Sequence, residues 1–138
     1  MNKYFYGLPP DILVNIDIDL EPKMYIECKA YTENAMLKRI LFDCAVAKRM
    51  HPDILFMLFQ LESHLGGDYK DLKKESETVG SYSTRAILSL SDIDLRIVTL
   101  LKGERSIQNP IHKKFKPLEW ENLEKILEVL KLQLKNFL

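Results

Sequence analysis

Residues 11–31 read DILVNIDIDLEPKMYIECKAY, and the alternation inside that stretch decides the fold. Ile12, Val14, Ile16, Ile18 and Leu20 take every second place, with Leu13, Asn15, Asp17 and Asp19 between them. Successive side chains of a strand point to opposite faces, so a period of two predicts a half-buried strand over 12–20. Glu21-Pro22-Lys23 follows, with its proline placed as in a tight turn. Alternation resumes from Met24 to Tyr31: Met24, Ile26, Cys28 and Ala30 face one way, and Tyr25, Glu27, Lys29 and Tyr31 the other. Two alternating strands about a short turn predict an antiparallel β-hairpin.

The hairpin carries the chemistry. Asp17, Asp19, Glu27 and Lys29 are odd-numbered and share the face turned away from the apolar one. With the turn centred on Pro22, Asp17 comes directly across from Glu27, and such partners stand about 4.5–5.5 Å apart at Cβ. Two carboxylates so placed can hold one divalent cation, with water completing its oxygen shell. Without a cation they repel. Lys29 lies beside them on the same face, where an ammonium can orient an attacking water or stabilise charge growing on a phosphate. The expected catalytic set is Asp17, Glu27 and Lys29, with Asp17 and Glu27 as metal ligands. Two other acids compete for the first place. Asp19 needs a shifted turn, and Asp11 stands in a literal Pro10-Asp11 pair but needs the first strand to end early. The plain alternative is a solvated ribbon face, where Asp, Glu and Lys are ordinary, although aspartate is disfavoured inside strands.

Beyond the hairpin, Thr32 is placed to cap a helix over about 33–50, whose Met36, Leu37, Ile40, Leu41, Cys44 and Ala47 form a stripe at helical spacing. Pro52 disfavours helical geometry at His51 and should stop it there. Residues 53–61, DILFMLFQL, are apolar but for the leading aspartate and Gln60, and short, which predicts a fully buried strand. Strand, helix, buried strand is a parallel crossover. Residues 66–84 read as a polar loop with at most a short helix, 86–90 as a short strand or part of a helix, and 95–101 as a further strand. From 118 to 138 the pattern is helical, with Trp120, Leu123, Leu127, Leu130, Leu134 and Phe137 at spacings of three and four. The expected fold class is α/β: a central mixed β-sheet with the acidic antiparallel hairpin, a β-α-β crossover and a long C-terminal helix.

An acid on one strand, Glu-x-Lys on the next, then a helix and a buried strand resemble the PD-(D/E)xK superfamily of restriction-endonuclease-like nucleases. The words that carry the resemblance are IDIDLEPKMYIECKAY, KRILFDCAVAKRM and HPDILFMLFQLE, and DLRIVTLLKGERS adds to it. It implies hydrolysis of DNA phosphodiester bonds with Mg2+ or Mn2+ as cofactor. The first acid and Glu27 would bind the ion together with the backbone carbonyl of Cys28, and Lys29 would assist the attacking water. The family core has a helix and a strand ahead of the acidic strand. Few residues precede Ile12, so those elements are expected to be missing, supplied by another subunit or placed elsewhere in the chain.

Bulk properties set the outer bounds. A chain of 138 residues has room for one core, so a single domain over 1–138 is expected. Twenty basic and twenty acidic residues cancel, which argues against a general electrostatic sponge for nucleic acid. A local patch remains open, and Lys113, Lys114 and Lys116, in a loop between Asn109-Pro110 and Pro117, are the candidates for phosphate contact. His51, His64 and His112 lack ligand spacing. Cys28 and Cys44 make no disulfide framework and read as small core residues of a cytoplasmic protein. No segment reads as a membrane span or secretory signal. The C-terminal leucine seam packs on the sheet or pairs with its twin in a homodimer. The rival function, from another class, is a non-catalytic binding module: an immunity or regulatory protein, or a nuclease-like fold without activity.

Overall fold

The computed structural model describes residues 10–15, 22–67, 69, 79–101, 108 and 113–135. Its elements run β1 (Ile12–Asn15), β2 (Pro22–Thr32), α1 (Asn34–Met50), β3 (Leu55–Ser63), α2 (Tyr82–Leu90), β4 (Leu95–Thr99) and α3 (Trp120–Lys135). The strands form one mixed sheet in the order β1-β2-β3-β4. β1 is antiparallel to β2, whereas β2, β3 and β4 run parallel. This is the α/β architecture expected from the sequence, in keeping with a restriction-endonuclease-like fold.

The hairpin exists, but its register differs from the expected one. Ile12 pairs with Ile26, Leu13 with Tyr25 and Val14 with Met24. Pro22 and Lys23, expected in the turn, belong to β2, and Pro22 lies opposite Asn15 just after a register shift. A proline cannot donate to a ladder, and the first residue of a strand beside an irregularity is one of the few places that tolerates it. Asp17 and Asp19 lie outside the described residues, as does all of 16–21.

A second correction concerns the faces. The odd-numbered face of β2 is not a water face throughout, because the crossover lays α1 over it. Tyr25 is buried there with Leu37, Ile40, Leu41, Cys44 and Ala47 of α1, Phe56 and Leu58 of β3, and Leu95 and Ile97 of β4. On the opposite face Met24, Ile26, Met57 and Val98 pack against Ile126 of α3. A strand inside a parallel unit is covered on both sides, which a hairpin pattern read alone does not reveal. Fully burying side chains such as Met57 and Leu58 contributes about 1.5–3 kcal/mol each.

α1 follows the expected stripe and stops at His51, whose N–H donates to the Ala47 carbonyl at 2.9 Å. Its N-cap is Glu33, with no side-chain cap bond, so the cap expected of Thr32 is not formed. Thr32 is instead the buried last residue of β2. β3 is buried over most of its length, as its apolar run predicted. Residues 86–90 resolve as the end of α2, which Ser81 caps by accepting from the Thr84 N–H at 3.2 Å. Gly80, at φ 102°, feeds that cap, and a Cβ there would collide with the Tyr69 hydroxyl. The buried Thr84 hydroxyl lies 2.8 Å from Asn34 Oδ1 and 2.7 Å from the Leu65 carbonyl, which ties the starts of α1 and α2 together.

α3 forms as expected and turns Leu130 and Leu134 of the expected stripe inward, but not Trp120 and Leu127. Ile126 and Gln133 are buried, with Leu130 and Leu134 against the sheet, while Trp120 is 72% and Leu127 53% exposed. Apolar residues occupy more than one side of this helix, so spacing alone offers two faces and only the sheet selects between them. Phe137 lies outside the described residues. No helix among the described residues is long and apolar enough to cross a membrane.

Candidate active site

Because β2, β3 and β4 are parallel, their C-terminal ends share one edge, where α1 and α2 begin. In open α/β sheets that edge is where ligands bind. Glu27 and Lys29 lie toward it on β2, and the register sets Glu27 beside Leu58 and Lys29 beside Gln60. Gln60 in turn stands beside Thr99 of β4.

Among the described residues, the acid that reaches this motif is Asp11. With Ile12 opposite Ile26, the position across from Glu27 is 11, where the expected turn had put 17. Asp11 Oδ2 accepts a hydrogen bond from the Cys28 backbone N–H at 2.7 Å and lies 3.4 Å from Lys29 Nζ. The same ammonium donates to Glu27 Oε1. One cationic group therefore bridges two carboxylates, Asp11 immediately before β1 and Glu27 on β2. Side-chain exposure rises from 13% at Glu27 through 32% at Lys29 to 46% at Asp11, so the cluster opens to solvent on the Asp11 side.

Burial alone would lower the Lys29 pKa, but the hydrogen bond and charge of Glu27, with those of Asp11, outweigh it and raise it. Lys29 is therefore firmly cationic at neutral pH. Two carboxylates already gathered about one positive charge are an all-oxygen donor pair, which suits a hard divalent cation. No group of three His, Cys, Asp or Glu side chains among the described residues is placed to hold a metal. Mg2+ sites commonly use one or two carboxylates and leave most of the shell to water, a donor set of the kind these two residues offer.

The basic loop divides. Lys113 and Lys114 are exposed. Lys116 is only 18% exposed in its side chain, and its ammonium pairs with the carboxylate of Glu62, which is 1% exposed on β3. The pairing of Leu118 with Leu101 brings this loop against the end of β4. His51 and His64 stand on separate loops after α1 and β3, and His112 lies outside the described residues.

Sequence reasoning missed three buried polar residues at this edge, Gln60, Glu62 and Thr99. A signal did exist for Gln60, the lone polar break inside DILFMLFQL, because a polar side chain in a fully buried strand calls for a partner.

Both cysteines are free. Cys44 is in the core as expected, but Cys28 is exposed, since the strand face it shares with Met24 and Ile26 passes beyond the cover of α3. Partial loss of water, then the charges of Asp11 and Glu27, raise the Cys28 pKa against the opposing pull of Lys29. Burial first, then Asp43 and Glu27, push the Cys44 thiol to about 12. A raised pKa means less thiolate at a given pH. In the native protein at pH 8, iodoacetamide should alkylate Cys28 more slowly than free cysteine and leave Cys44 untouched until unfolding, as read by intact mass. Rapid labelling of Cys44 without unfolding would contradict its burial.

In sequence, this chain is similar to an enzyme. The chain is 53% identical over 125 residues to the type II restriction enzyme DdeI of Desulfomicrobium norvegicum, an alignment covering 88% of this chain and 50% of the relative. The chain thus spans about half the length of the curated relative it matches. No family model and no solved structure matches it.

Proposed function

We propose that this chain carries the PD-(D/E)xK-type centre of a metal-dependent DNA endonuclease and hydrolyses phosphodiester bonds with Mg2+ or Mn2+. The observation that supports this most is the convergence at Asp11, whose Oδ2 meets both the Cys28 N–H and the Lys29 ammonium, while Glu27 shares that ammonium. A non-catalytic binding module would have no use for these three side chains meeting at the ligand edge of the sheet. Similarity over most of this chain to a restriction enzyme supports the same reading.

In this reading Asp11 and Glu27 would hold the ion with the Cys28 carbonyl, with Asp11 in the place first expected of Asp17. A bound divalent cation supplies charge neutralisation at the phosphate and acidity to a nearby water. Lys29 stabilises the negative charge that grows as water adds to phosphorus and one P–O ester bond breaks, leaving a phosphate monoester and an alcohol. The Cys28 N–H holds Asp11 in place. Lys113 and Lys114 offer exposed charge to the DNA backbone, whereas Lys116 is engaged by Glu62. Exposed Trp120 and Leu127, seven residues apart on one side of α3, are the surface through which two copies would pair, each cutting one strand. Such an enzyme acts in the cytoplasm.

The test is cleavage of supercoiled plasmid and of single-stranded DNA with Mg2+, with Mn2+ and with chelator, beside a Glu27→Ala protein shown to be folded by circular dichroism. Cutting should require the metal and vanish in the variant. Equal cutting by Glu27→Ala, or cutting in chelator, would remove the hairpin from the chemistry.

A further inference from the structure

Gln60 is fully buried on β3. Its Nε2 donates to Thr99 Oγ1 at 3.0 Å, and its Oε1 has no hydrogen-bond partner among the described residues. A buried amide oxygen left unmet is costly, so its presence in an otherwise apolar strand needs a reason. Lys29 is its register partner on β2. Neighbouring strands lie about 4.8 Å apart, and register partners leave the sheet on the same face. With its Nε2 committed to Thr99, the oxygen is the end left to meet an ammonium, which attracts a carboxamide oxygen and repels its NH2.

We infer that Gln60 is a positioning residue of the site, whose carboxamide oxygen accepts the Lys29 ammonium when Asp11 and Glu27 are committed to a divalent cation. This rests on the proposed metal site. An ammonium has three donors and no acceptor, and Lys29 directs two of them at Glu27 and Asp11. Once those oxygens serve a cation, Lys29 loses the strength of both bonds and feels a new repulsion. A third carboxylate could steady it but would compete for the ion. A neutral carboxamide accepts from the ammonium without doing so, and Thr99, itself buried, anchors the amide from the other side. The row Lys29, Gln60, Thr99 across β2, β3 and β4 then keeps the ammonium aimed at the ligand edge.

The experiment follows the side-chain 15N–1H resonances of Gln60, assigned by their loss in Gln60→Met, during titration with Mg2+ alone. Native protein, Lys29→Met and Glu27→Gln are compared, with Mg2+ affinity of each taken from calorimetry. Mg2+ should shift the Gln60 resonances in the native protein and not in Lys29→Met, although both bind the ion. In cleavage assays Gln60→Met should lose about 10–100-fold in turnover with Mg2+ affinity unchanged. Gln60 resonances that stay still while native protein binds Mg2+, or that move equally in Lys29→Met, would overturn the inference and leave the metal site standing. Failure of native protein to bind Mg2+, or undiminished binding by Glu27→Gln, would overturn the metal site and this inference with it.

Discussion

Lys29→Met should slow DNA cleavage by about 10²–10³-fold at saturating Mg2+, yet should bind Mg2+ at least as tightly as the native protein. The two halves of that expectation come from one contact. Lys29 sits between Asp11 and Glu27, so it neutralises the same oxygens that would hold the ion. Removing it deletes a donor aimed at developing charge and also deletes a competitor for the metal. The size of the second effect follows from exposure. With side chains 32% and 46% exposed, the Lys29–Asp11 pair belongs near the surface class, where such contacts contribute about 0–1 kcal/mol. Release of Asp11 alone should therefore tighten binding by no more than about fivefold. Glu27→Gln and Asp11→Asn act in the opposite sense on binding, since each removes one of two charged donors. Single-turnover cleavage and calorimetric Mg2+ titration separate these outcomes. A Lys29→Met protein that loses Mg2+ affinity as Glu27→Gln does would sink the division of labour.

The same pair of carboxylates shows what a sequence can and cannot carry. Alternation in 12–31 fixes which side chains share a face, because a strand repeats every two residues. It does not fix register, because sliding one strand by an even number leaves every residue on its own face. Asp11, Asp17 and Asp19 are all odd-numbered, so each satisfies the pattern, and only the turn selects among them. The turn was read from Pro22, a residue that the ladder irregularity after Val14 admits as a strand opener. Local signals with a single physical cause fared better. Pro52 ends α1 at His51, and the unbroken apolar run over 54–59 makes β3 a buried parallel strand. The row of Lys29, Gln60 and Thr99 was illegible for a different reason. It exists only through two parallel registers, β2 with β3 and β3 with β4, between residues far apart in the chain. The helix expected over 118–138 forms and packs on the sheet, but its inward face was only partly legible, since Trp120 and Leu127 fit helical spacing as well as Ile126 does, and the sheet below decided.

Lys116→Met should destabilise the fold by about 3–5 kcal/mol, far more than Lys113→Met or Lys114→Met, each expected within about 0.5 kcal/mol of the native protein. All three are lysines of one basic stretch, but their surroundings differ. Lys113 and Lys114 are exposed, and an exposed ammonium is hydrated in both folded and unfolded states. Lys116 reaches the sheet edge and pairs with Glu62, whose side chain is 1% exposed. Removing the cation keeps a carboxylate in a site that water does not screen, and that penalty, rather than the strength of the pair itself, sets the loss. The double variant Lys116→Met/Glu62→Leu should accordingly recover most of the stability, because an apolar pair of similar volume pays no desolvation. Urea unfolding at unchanged m-value is the measurement. The salt dependence of DNA binding should show the reverse ranking. A phosphate contact contributes about 0.9 to the slope of log affinity against log salt on duplex DNA, so Lys113→Met and Lys114→Met should flatten that slope. A lysine already committed to Glu62 has no such contribution to lose, and the folded Lys116→Met/Glu62→Leu protein should keep the native slope. A slope that falls in the double variant by as much as in Lys114→Met would show that Lys116 leaves Glu62 for the phosphates when DNA arrives.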